Sequence, residues 1–308
     1  MNSDSAVMVP PVNARRNWPG IVWIVGLHIG ALFAPFTFTW SGLVVFGILY
    51  VIAGMGITVG YHRLLTHRSF HVSRPLEYLF TMCGLMANEG GPIRWVSNHR
   101  RHHTHSDEPG DPHSPKNGFW WSHMRWWSYD DEVADGPVEN LHNVKDLVRD
   151  PVQRGFQRYH YMIPISAAFL VYFGGEWWSG SGVSWLVWGM FLRTVLVMHS
   201  TWFVNSAAHV WGYKNFETKD DSRNLWWVAA LTFGEGWHNN HHAHQRSARH
   251  GLRWWEVDVS YGFIRMLSFF GLANHIHVAP TPKAKEGSRR SVWRVLRPHR
   301  NSSLRKVG

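Results

Sequence analysis

Apolar residues in this chain fall into six runs separated by strongly polar ground. Residues 21–38 and 43–59 each approach the roughly 20 residues an α-helix needs to cross a bilayer core. Only Thr39-Trp40-Ser41-Gly42 separates them, which predicts a helical hairpin. Residues 161–174 and 183–205 predict a second, joined by the segment from Glu176 to Gly182. The runs at 76–86 and 261–272 are too short to cross and are expected to lie at the interface or re-enter it. Gly47, Gly54, Gly56 and Gly60 suit close packing of the second helix. The expected architecture is an all-α integral membrane protein: four transmembrane helices in two hairpins under a polar helical cap. Residues 1–20 form an N-terminal tail, 21–278 the membrane domain and 279–308 a basic, disordered tail.

Charge orients this scheme. Neither hairpin link carries Lys or Arg, whereas the loops on the other side are rich in them. The positive-inside rule then puts both termini and the polar cap in the cytoplasm. The chain carries a net +10, and nine Lys or Arg against the single acid Glu286 lie between Lys283 and Lys306. Behind a membrane domain, that tail is expected on anionic lipid headgroups and not on nucleic acid. Twenty tryptophans fit the same setting, since indole favours the membrane–water boundary. Arg193 and His28 fall inside apolar runs; a functional or paired role is expected for Arg193, and His28 is expected to pair inside the bundle or lie near an interface.

The polar segments hold the chemistry. One cysteine, Cys83, leaves no intrachain disulfide and no Cys-ligated zinc or iron–sulfur site. Histidine is abundant and clustered: His62 with His67, His99 with His102 and His103, and His238 with His241 and His242. Positions i, i+3 and i+4 share a helix face, so each His-x-x-His-His set can point one way. His62 and His67, five apart, converge only if the helix ends or unwinds between them. Eight imidazoles exceed what one ion needs, so two metals are implied. Iron, zinc, copper and nickel all suit such a donor set. Asp107, Asp111 and Glu235 are candidate acceptors for ligand N–H groups, and His105, His113, His123 and His244 candidate neighbours that orient them.

These stretches carry a resemblance: Gly60-Tyr-His-Arg-Leu-Leu-Thr-His67-Arg-Ser-Phe, Asp111-Pro-His-Ser-Pro115, Asn205-Ser-Ala-Ala-His209 and Gly234-Glu-Gly-Trp-His238-Asn-Asn-His-His242. Over about residues 20–272 the chain resembles the membrane-bound fatty acid desaturases of the stearoyl desaturase type. The resemblance implies two iron ions, with O2 as co-substrate, and a cis double bond introduced into a fatty acyl chain, usually at carbon 9. It implies His62, His67, His99, His102, His103, His238, His241 and His242 as ligands, His209 as a ninth, and Asn205 as holder of a metal-bound water. An unactivated methylene offers neither an acidic proton nor a leaving group, so metal-assisted oxidation suits the task.

The resemblance has departures. Ser97 and Asn98 stand where animal acyl-CoA desaturases carry an Arg-Asp pair that contacts CoA, which favours a lipid-linked over a CoA-linked acyl substrate. Arg94, Arg100, Arg101 and Lys116 remain candidates for phosphate contact. Trp120, Trp121, Trp226 and Trp227 are candidate walls of an acyl tunnel or interfacial anchors. No fused cytochrome b5-like segment is expected, so electrons would come from a separate ferredoxin or cytochrome b5 type of carrier. A di-iron hydroxylase would share the histidine pattern and differ in product, an alcohol in place of an alkene. A histidine-rich metal transporter or sensor would instead place ionisable groups along a path through the spanning helices.

Overall fold

The structure, a computed structural model, describes residues 15–131 and 135–282. The basic tail from Lys283 and the first fourteen residues lie outside the described residues. Helix α1 spans Trp18–Ala31, entered through Asn17, whose side chain accepts from the Gly20 N–H at 3.1 Å. It stops well short of residue 38. Pro35 lacks an N–H and disfavours helical geometry at Ala34, so the chain tightens into a 3-10 turn at Ala34–Thr37. Helix α2, Trp40–Thr66, starts where Thr39 accepts from the Gly42 N–H at 3.0 Å.

Helix α2 outruns its apolar sequence. Beyond Met55 it widens into a π-helix over Gly56–Thr66, so His62 lies within the helix and not after it. The His67 N–H reaches the His62 carbonyl at 3.1 Å, an i to i+5 bond. All eleven residues of this segment are buried. Helix α3, Arg74–Leu85, crosses it at two glycines. A Cβ at Gly56 would collide with the backbone of Cys83 and Gly84, and one at Gly60 would stand 2.8 Å from the Phe80 carbonyl oxygen. Around this crossing Ile57, Tyr61 and Leu65 pack with Leu85, Ile93, Val96 and Leu147.

Helix α4 follows at Pro92–His105. Helix α5, Met162–Ser179, ends at Gly180, where φ is +60°. Gly180 donates to the Glu176 carbonyl and Ser181 to that of Gly175, each at 3.0 Å, which is a Schellman ending. The link to helix α6, Gly182–Val210, is therefore only Gly180 and Ser181. A clasp joins the two pairs: Thr39 Oγ1 lies 2.7 Å from Ser184 Oγ, and the Trp185 indole donates to Ser41 Oγ at 2.9 Å. Short helices α7, His238–Ala243, and α8, Val259–Phe269, complete the cap. One small exception to the all-helical expectation is the antiparallel pairing of β1, His71–Val72, with β2, Ala273–Asn274.

Helices α2 and α6, at 27 and 29 residues, are long and apolar enough to cross a membrane. Arg193, fully buried in α6, is met by carbonyls: its Nε donates to Gly189 O at 2.9 Å and its Nη1 to Met86 O. Met86 caps α3, where the helix dipole favours a cation. His28 pairs with His199 of α6, the Nε2 atoms 3.0 Å apart.

Gly56→Ala should be the most damaging of the small substitutions in α2. Backbone has no rotamer by which to yield, so a loss of about 1–3 kcal/mol is expected, whereas Gly47→Ala, with open space around it, should be tolerated. Thermal unfolding of the two purified variants checks this.

Candidate metal centre

The π-wound end of α2 resolves the spacing of its two histidines. In π geometry residues five apart stack as residues four apart do in an α-helix. The rings of His62 and His67 accordingly meet at 4.8 Å between centroids.

Helices α4 and α7 do not aim their three histidines at one point. An i, i+4 pair chelates on one side while the residue between them turns to the other. His99 and His103 join His62, His67 and His241, while His102 joins His209, His238 and His242. In each group the ligand nitrogens lie within 4.8 Å of one another. The closest approaches are between Nε2 atoms: 3.1 Å for His62 and His241, 3.0 Å for His99 and His103, 2.9 Å for His103 and His241, and 3.0 Å for His209 and His238. That is the separation of adjacent corners around an ion about 2.1 Å from each nitrogen.

Carboxylates hold the outer nitrogens. His102 Nδ1 lies 2.9 Å from Asp111, His209 Nδ1 3.1 Å from Asp107, His242 Nδ1 2.8 Å from Asp220 and His62 Nδ1 2.7 Å from Glu235. Such a contact fixes the tautomer, leaving the Nε2 lone pair to face inward. The inner nitrogens of His67, His102 and His242 are buried without a hydrogen-bond partner, as donors to a cation would be. Nine imidazoles with no thiolate fit two iron ions.

Electrostatics favour the ligand forms. Burial, with the neighbouring rings, drives His67, His99, His103, His238 and His241 well below the usual imidazole range, and His242 down to about 4. Burial works to raise the carboxyls of Asp111, Asp220 and Glu235. The His102 ring, the His242 ring and the Arg63 guanidinium, respectively, overcome it and hold all three low. Arg63 also ties the cap to α2, donating to Glu235 Oε1 at 3.1 Å, Asp258 Oδ1 at 2.9 Å and the Ala248 carbonyl at 2.8 Å.

Two cavities adjoin the histidines. The larger, 1110 Å3, is lined by the exposed Asp130 and Asp135, by Trp95 and His99, and by the buried apolar side chains of Ile24, Leu85 and Met198. The smaller, 50 Å3, is lined by His62, His99, His238, Asn205 and Glu235. Asn205 therefore lines the same small cavity as His62 and His99 of one group and His238 of the other. Of the four tryptophans expected as walls only Trp121 lines the larger cavity; Trp120 and Trp226 are exposed, and Trp227 packs on Phe203. Long indoles at exposed positions anchor more naturally than they line. The His113 ring lies against that of His102, tilted, with centroids 4.4 Å apart, but His123 bonds His199 and Ser206 and His244 packs on Phe216. Asp220 escaped the sequence reading because its partner His242 is 22 residues away and no motif spans them.

Replacing Asp220 by Asn should lower iron retention by about 10–100-fold, read as iron per chain after chelator challenge, with the fold intact. Acid should destabilise the metal-free protein. His67, His99, His103, His238, His241 and His242 bind fewer protons folded than unfolded below pH 6.5, so the stability they contribute is full above that value and falls as pH drops through it. Thermal unfolding between pH 8 and 5 tests the sign.

Comparison with known proteins bears on what this centre does. Residues 37–258 match the family model described as fatty acid desaturase. An sn-1 stearoyl-lipid 9-desaturase of Anabaena variabilis is 48% identical over 267 residues, covering 85% of this chain and 94% of that protein. An sn-2 palmitoyl-lipid 9-desaturase of Nostoc sp. (strain 36) is 43% identical over 277 residues, covering 89% and 94%. An acyl-CoA C20 Delta5-desaturase of Anemone leveillei is 44% identical over 260 residues, covering 84% and 81%. Carrier and bond position differ among these relatives, but the match runs through every histidine cluster, and the chain belongs to the fatty acid desaturase family.

Proposed function

We propose that the protein is an O2-dependent acyl-lipid desaturase that places a cis double bond at carbon 9 of a glycerolipid-bound chain. The observation that carries this reading is the contact between the long cavity and the histidine cage at Trp95, His99 and Asn205. A cavity of 1110 Å3 exceeds the usual small-molecule range of about 300–1,000 Å3 and suits a long chain. Its walls fix how far the chain enters, and that depth sets which methylene stops beside the cage.

In this reading His62, His67, His99, His103 and His241 hold one iron, and His102, His209, His238 and His242 the other. Asn205 orients a water in the smaller cavity, which has room for one. The irons, with O2 and two electrons, supply the oxidation. The protein holds the imidazoles neutral, keeps the chain in register and excludes bulk water behind Trp95 and Trp202. Two protons and the two hydrogens of the acyl chain leave with the oxygen as two waters. Helices α1 and α5 complete α2 and α6 as four spans in two hairpins, with the cage and both termini on the cytoplasmic side of a bacterial inner membrane. Electrons arrive from a separate ferredoxin or cytochrome b5 type of carrier.

Expression in a host that makes no unsaturated fatty acids tests the proposal by chromatography of total fatty acids. A cis-9 monoene should form and should fall below detection in His102→Ala. An alcohol in its place would mean hydroxylation, and an unchanged profile with iron and donor supplied would reject the enzyme reading.

A further inference from the structure

The mouth of the long cavity bears on which headgroup can sit there, an inference that rests on the desaturase reading and narrows its substrate. Phosphate is bound by open guanidinium forks or by free N–H groups at helix starts. The mouth contains both devices, and both are largely engaged: the Nη groups of its two arginines face carboxylate or carbonyl oxygens, and only their Nε atoms have no partner. Arg101 is paired with the Asp131 carboxylate, its Nη1 donating to Oδ1 at 3.0 Å and its Nη2 to Oδ2. Arg94 donates through Nη2 to the carbonyls of Asp135 at 3.0 Å and Gly136 at 3.2 Å, with Nη1 3.7 Å from the Asp135 carboxylate. At the start of α4 the N–H groups of Ile93 and Arg94 both go to Gln157 Oε1 at 3.0 Å. At the start of α1 Asn17 takes the Gly20 N–H.

What remains in the wall is acidic or neutral. Asp130, Asp131 and Asp135 outnumber the two arginines, and the other polar lining includes Asn17, Asn88, Asn98 and Asn117. Arg16 stands 5.8 Å over the Trp18 ring and 5.9 Å over that of Tyr129, outside the wall. We propose that the mouth selects a glycerolipid headgroup without net negative charge, with Asp130, Asp131 and Asp135 as the specificity-determining residues. An anionic lipid or a CoA thioester would bring phosphate against carboxylates that outnumber the arginines of the described wall, both of which already face carboxylate or carbonyl oxygens. This is discrimination by repulsion, added to whatever the acyl chain contributes.

Equilibrium binding of the purified full chain tests the proposal without turnover. Stearoyl lipids differing only in headgroup compete with a fluorescent stearoyl phosphatidylcholine: a neutral glycosyl diacylglycerol, phosphatidylcholine, phosphatidylglycerol and stearoyl-CoA. The first two should bind about tenfold or more tightly than the last two. Raising salt from about 0.1 M to about 1 M should narrow the gap. Asp130→Asn, which leaves both arginine pairs in place, should narrow it by about threefold. Equal or tighter binding of phosphatidylglycerol or stearoyl-CoA overturns the proposal, as does a gap that ignores both salt and substitution. The ranking is read whether or not an alkene forms, so failure of the desaturase reading would show separately.

Discussion

Nine imidazoles in a dry interior repel one another unless their inner lone pairs meet a cation and their outer nitrogens meet acceptors. Much of the cap answers this requirement. Four carboxylates from three separate segments, Asp107 and Asp111 on one loop with Asp220 and Glu235 elsewhere, reach the outer nitrogens of four rings. A buried carboxylate is itself costly without a cation, and Arg63 meets that cost for Glu235 while holding Asp258. The requirement thus propagates outward: ring, carboxylate, guanidinium, and finally the backbone carbonyl of Ala248.

The same logic explains the shape of helix α2. An α-wound end would leave His62 and His67 splayed. The π segment brings them together, at the expense of poorer backbone geometry over eleven residues. Close packing against α3 makes that segment tolerable, and packing that close requires glycine at 56 and 60. A change in helical winding, glycine at a crossing and a pair of metal donors are one structural solution seen at three levels.

Function follows from where the cage sits. His99 of the cage and Asn205 line a large cavity whose wall joins the buried apolar Ile24, Leu85 and Met198 to the exposed Asp130 and Asp135. An oxidising centre placed this way acts on whichever methylene the cavity holds beside it, so regioselectivity becomes a matter of length. Carrier selectivity is a separate matter, which we propose rests on the charge of the exposed carboxylates in the same wall.

The sequence alone determined the donor chemistry, since clustered histidines with a lone cysteine leave little but an imidazole-held metal pair. It also disclosed the apolar runs and, through the resemblance, pointed to His209, which the fold groups with His102, His238 and His242, and to Asn205, which lines the small cavity beside the histidines. Tertiary structure decided how the donors divide: adjacent histidines on one helix turn diverge by about 100°, so His102 and His103, like His241 and His242, serve different groups. It decided the helix ends, where Pro35 and the α3 crossing overrode the apolar pattern. It also decided the pairing of Asp220 with His242 and of Arg94 and Arg101 with their carboxylates. Contacts of this kind depend on where distant segments meet, and a one-dimensional pattern holds no record of that.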